Sequence, residues 1–161
     1  MRFLRVIRLD ESDAEVFERP ATPGEWAVPG SFAFLDVDPN ALTGKRLQAF
    51  NHGFLGTETF GWSSLVEVAE ISELDYKGVI ERLAHHFVEH YGAPALAAAL
   101  PKAREEAQYT ASIAEHELHT LLAIERETSG EDLVENLRVV RLSGADHTKL
   151  KVFGIEPDDD A

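Results

Sequence analysis

Residues 86–90 read His-Phe-Val-Glu-His. Histidines four residues apart stand one above the other on a helix, so two imidazoles can grip one metal ion. Zinc takes ring nitrogens at about 2.0–2.1 Å, draws a third ligand from elsewhere in the chain and keeps one position open for water. Glu89, between the two histidines, could act as general base on that water. The chemistry this spacing allows is metal-assisted hydrolysis: His86 and His90 as ligands, Glu89 as base, and zinc or another divalent transition metal as the ion. A second polar stretch, Glu115-His116-Glu117-Leu118-His119, offers Glu115 or His116 as a third ligand if two helices pack with an offset. A third stretch, NHGFLGTETFGWSS over 51–64, combines glycines with aromatic residues. It matches neither a phosphate loop, which needs Lys-Ser/Thr after its last glycine, nor the G-x-S-x-G of a serine nucleophile. Its His52, Phe54, Phe60 and Trp62 form a candidate surface for an organic ligand or a protein partner.

The element that must position the histidines is a helix over 73–91. Ser72 and Asp75 make a capping box at its start, with Asp in the place usually taken by Glu. Tyr76, Val79, Ile80, Leu83, Phe87 and Tyr91 then recur at helical spacing, and Gly92 stops the run. At roughly 100° per residue the apolar stripe centres between Leu83 and Phe87. His90 falls inside that stripe, His86 on its edge, and His85 and Glu89 towards solvent. The wheel therefore predicts a partly buried His90 and a rim position for His86. That is how an ordinary amphipathic helix carries histidine, and this reading is preferred to a metal centre, with no cofactor favoured.

Around this helix the pattern predicts strands over 3–9, 31–37 and 64–71, with a short strand near Phe17 inside the proline-rich connection. A helix is predicted over 41–50, an irregular loop over 51–62 and a short helix over 93–100. Pro101 starts a further helix over 101–117, whose stripe runs Ala103, Ala107, Ala111, Ala114 and Leu118, and the alanines imply close packing against the 73–91 helix. Residues 119–142 read as a hairpin turned at Thr128-Ser129-Gly130, with a helix over 131–142 capped by Ser129 as the alternative for the second arm, and 156–161 as an acidic, disordered tail. These elements make an α+β fold: one domain over 1–155, with a mostly antiparallel sheet covered by two main helices.

Charge excludes one class of partner. Fifteen Lys and Arg stand against 29 Asp and Glu, for a net charge of −14. Such a chain repels phosphate backbones and anionic membrane surfaces, so neither nucleic acid nor membrane is expected. Arg2, Arg5 and Arg8 cluster on the first strand, but alternation divides them between its two faces. The absence of cysteine removes thiolate metal sites and cysteine nucleophiles. No apolar run approaches the roughly 20 residues of a membrane span, and no secretion signal opens the chain, so the cytoplasm is the expected compartment.

Two resemblances follow from particular residues. His86 to His90 resemble the helix of the insulinase-like, inverted-motif metallopeptidases, which commonly reads H-F-L-E-H. That likeness implies His86 and His90 as zinc ligands and Glu89 as the water-activating base. It covers five residues of 161 and is read as coincidence. PGEWAVPGSFAF, NHGFLGTETFGWSSLVEVAEI and the helix after them resemble a family of short bacterial proteins known only as a domain of unknown function. That resemblance runs through most of the chain and implies a free-standing single-domain protein, with no assigned activity, cofactor or catalytic residue. The leading expectation is a non-enzymatic accessory or interaction domain, homo-oligomeric or bound to a protein partner. The alternatives are the metal-dependent hydrolase at His86, Glu89 and His90, and a small-molecule binder using the 51–62 loop.

Overall fold

The computed structural model describes residues 1–142 and the backbone of 152–157. The fold is α+β and built on one antiparallel sheet. Its strands are β1 (Arg2–Val6), β2 (Trp26–Val28), β3 (Phe54–Gly56), β4 (Trp62–Ser63), β5 (Val66–Glu70), β6 (Leu121–Ser129), β7 (Asp132–Leu142) and β8 (Val152–Pro157). They lie in the order β4-β3-β2-β1-β5-β6-β7-β8, and every neighbouring pair runs antiparallel. The helices are α1 (Ser12–Val16), α2 (Gly44–His52), α3 (Glu73–His90) and α4 (Leu96–Ile113).

Alternation along β1 serves two cores at once. Phe3 joins Val79, Leu83, Ala84 and Phe87 of α3, while Leu4 and Val6 join Val66, Val68, Leu122 and Ile124 on the other face. Ala99, Ala103 and Ala107 of α4 are buried in the same cluster as α3, so the alanine stripe does set the helices close together. A third cluster, with Phe17, Phe34, Leu42, Ala49 and Phe50, seats α2.

Several predicted elements differ from the structure. Residues 31–37 are not a strand, because Gly30 takes a left-handed φ of 81° and turns the chain into a 3-10 helix over Ser31–Phe34. Phe32 and Phe34 mimic strand alternation, yet on this turn they diverge, Phe32 onto Phe87 of α3 and Phe34 onto Phe50 of α2. No strand forms at Phe17, which is the buried residue that ends α1. The loop over 51–62 contains the short strand pair β3–β4. Pro101 does not restart a helix, for α4 runs through it. Pro101, Ala97 and Ala98 all face solvent, where the carbonyl left without a donor can be hydrated. The hairpin over 119–142 is present as β6–β7. β8 crosses the 155/156 boundary at which the sequence places the tail, and 158–161 lie outside the described residues.

One buried side chain joins these parts. Arg126 of β6 is 2 % exposed. Its Nη1 donates to the carbonyls of Ala49 (3.2 Å) and Phe50 (2.7 Å), and its Nη2 to those of Pro29 (2.7 Å) and Gly53 (3.1 Å). Its Nε donates to Ser31 Oγ at 2.7 Å, and Ser31 in turn donates to Glu135, the residue opposite Arg126 in the hairpin. Tyr109 of α4 donates to the same carboxylate at 2.6 Å. Burial pushes the Arg126 pKa down to about 10, so the guanidinium stays charged at neutral pH. Replacing Arg126 by Met strands these carbonyls and the Glu135 charge. We expect a loss of about 3–5 kcal/mol in urea denaturation; a loss below about 1 kcal/mol would show that the guanidinium does not hold these elements together.

Candidate functional site

His86, Glu89, His90, Phe60 and Trp62 line two adjoining clefts beside the turn between β3 and β4. Glu25, 3 % exposed, organises that turn. Its carboxylate accepts from the backbone N–H of Thr22 (2.7 Å), Glu58 (2.9 Å) and Thr59 (3.0 Å), and from Thr59 Oγ1 (2.7 Å). Gly56 makes room for it, since a Cβ there would lie 2.2 Å from Glu25 Oε1. Thus held, the turn forces Phe60 to a φ of 53°, a left-handed conformation that costs a non-glycine residue roughly 1–3 kcal/mol. The strained position lays the Phe60 ring flat on the imidazole of His86, at 3.8 Å between centroids and 3° between planes.

His86 is therefore the covered histidine. Phe32 and Tyr91 add ring contacts at 6.4 and 5.4 Å. Burial, then the neighbouring His90 and Arg19, push its pKa down to about 4, so it is neutral at physiological pH. His90 reverses the wheel's expectation: its side chain is 60 % exposed. It is the last residue of α3, and its Nε2 stands 3.8 Å from the carboxylate of Glu89. The two imidazoles are 4.8 Å apart and tilted by 50°. Among the described residues no group of three His, Cys, Asp or Glu converges to hold an ion. Glu115 and His116 do not supply the third ligand. They follow the C-terminal end of α4, and the short link between α3 and α4 makes a helical hairpin that sets this end beside the start of α3, away from His86 and His90.

The 51–62 residues separate in the structure. Phe54 of β3 is fully buried and is not a surface residue, because it belongs to the core cluster of Leu4, Ala27 and Val66. His52 ends α2 and contacts the Ile124 carbonyl at 3.3 Å, outside the cleft. Phe60 and Trp62 are half-buried and line a cleft of about 400 Å³ with Phe34 and Tyr91. A second cleft of about 360 Å³, which includes His86, His90 and Glu89, shares Arg19 and Phe60 with the first.

Sequence reasoning missed the charges here. Arg19, Lys45 and Arg46 line the first cleft together with Glu18. None of the three cations makes an ion pair or side-chain hydrogen bond among the described residues. By contrast Arg82, in the second cleft, stands 3.9 Å from Glu58. Trp62 N–H donates to the Arg19 carbonyl and Ala21 N–H to the Trp62 carbonyl, both at 2.8 Å, which fixes Arg19 at the rim. Lys45 and Arg46 occupy the first turn of α2, where the helix dipole disfavours cations, and that turn carries no acid. A Lys-Arg pair opening a helix in a strongly acidic chain was the available signal.

Two outcomes test this geometry. A proton NMR titration of His86 should give a pKa near 4, and Phe60→Ala should raise it towards 6.5 by uncovering the ring. His86 binds its proton more weakly folded than unfolded, so its contribution to stability is complete above pH 6.5 and is lost as pH falls towards 4. Thermal unfolding should accordingly drop more steeply across that window in the parent than in His86→Phe. Equal slopes would place His86 in open solvent.

No curated protein and no solved structure matches the chain. The model of a family of unknown function, DUF6505, matches residues 1–158. Among the described residues no helix is long and apolar enough to cross a membrane. The chain, an α+β domain whose strained turn walls an aromatic cleft lined by three cations, belongs to the DUF6505 family.

Proposed function

We infer that this protein is a non-enzymatic binding domain whose cleft beside the 57–62 turn takes a small anionic molecule. The observation that carries this reading is the convergence of Arg19, Lys45 and Arg46, all without ion pairs among the described residues, on an aromatic-walled cleft in a chain of net charge −14. Cations placed only for solubility would be expected to meet some of the many surface carboxylates. A volume of about 400 Å³ suits a small molecule rather than a protein segment. The reading of 51–62 as a protein-contact surface is less well supported, because Phe54 is in the core and Phe60 and Trp62 form cleft walls.

A ligand-detected NMR screen of mixed small anions, cations and neutral compounds tests it. We expect the hits to be anions, to weaken as salt is raised from 50 to 500 mM, and to disappear in the Lys45→Ala/Arg46→Ala variant. Hits that are chiefly neutral or cationic, or that persist in the variant, would count against the reading.

A further inference from the structure

We propose that the ligand of this cleft is an aromatic phosphate monoester, a planar ring carrying a dianionic phosphoryl group. The proposal rests on the binding reading above and assigns its chemical class. Three cations against the one carboxylate of Glu18 leave two positive charges at the cleft. A monocarboxylate would neutralise one of them. A phosphate monoester carries close to two negative charges at neutral pH and three acceptor oxygens, enough for guanidinium and ammonium donors arriving from separate elements. Arg19 comes from the strip bridged to β4, and Lys45 and Arg46 from α2, so the donors approach from two sides.

The remaining walls are aromatic. Trp62 is packed on Phe34 at 5.2 Å with 32° between their planes, and Phe60 is fixed against His86. Rings held in this way are ordered before the ligand arrives, so stacking a planar ring on them costs little side-chain entropy. The neutral imidazole behind Phe60 adds no competing charge. The second cleft does not share the excess of positive charge, since its Arg82 faces Glu58 and its His90 faces Glu89. The phosphoryl group accordingly belongs in the first cleft.

Calorimetric titration of the full chain with phenyl phosphate, benzoate, phenol and inorganic phosphate tests the assignment. We expect phenyl phosphate to bind at least ten-fold tighter than benzoate, which has the ring and one charge, and than inorganic phosphate, which has the charge and no ring. Its affinity should fall as pH drops through about 6, where a phosphate monoester takes up its second proton. Arg19→Ala and Arg46→Ala should each weaken it at least five-fold without changing the thermal midpoint of the free protein. Benzoate binding as tightly as phenyl phosphate would overturn the dianion while leaving the anion-binding reading in place. Inorganic phosphate binding as tightly would overturn the ring. If none of the four binds, while the anionic screen yields other hits lost in Lys45→Ala/Arg46→Ala, the ligand class is wrong; if neither experiment gives binding, the functional reading falls with it.

Discussion

A single buried guanidinium decides how the two halves of this molecule meet. Arg126 stands on the sheet, and four of its five bonded partners are backbone carbonyls, on Pro29, Ala49, Phe50 and Gly53. Two of those carbonyls, on Ala49 and Phe50, belong to the last turn of α2, where a cation suits the dipole; the Ala49 carbonyl also accepts the Gly53 N–H. Burying a charge is costly unless it is paired and fully hydrogen-bonded, and the Ser31 and Glu135 contacts complete that requirement. Fixing the far end of α2 in this way also fixes its near end. Lys45 and Arg46 are thereby held at the cleft against the electrostatic preference of their own helix.

Glu25 is the counterpart on the opposite wall. A buried carboxylate saturated by three backbone N–H groups and a hydroxyl stabilises a turn that leaves Phe60 in a backbone conformation it would not choose. Strain of this kind persists only where surrounding contacts over-determine it, and it is commonest at ligand sites. Here it converts a short hairpin into a rigid aromatic wall and buries one histidine of α3 while the next stays in water.

How much of this was legible in the sequence depends on the range of the interactions. α3, the β6–β7 hairpin and the alanine contact of α4 follow from local spacing and were readable. The 3-10 turn at 31–34 was not, because Phe32 and Phe34 satisfy strand alternation and only the left-handed Gly30 separates the two readings. His90 was misplaced because a helical wheel assumes cover along the whole helix, whereas Phe87 is buried and His90, the final residue of α3, is exposed. The roles of Arg126 and Glu25 depend on partners 33 or more positions away, apart from the Thr22 contact and the facing Glu135, and no local pattern reports them. The cleft was half visible: Phe60 and Trp62 could be named from their loop, but the cations that face them arrive from residues 19, 45 and 46.

The central claim is that these cations and rings act together on one bound anion. Amide chemical-shift mapping with phenyl phosphate tests it most directly. The account predicts saturable shifts concentrated at Arg19, Lys45, Arg46, Phe60 and Trp62, with the helical face of α3 and α4 where Ile80 and Leu100 line a separate groove unaffected. Shifts centred on that helical face, or scattered without saturation, would contradict it.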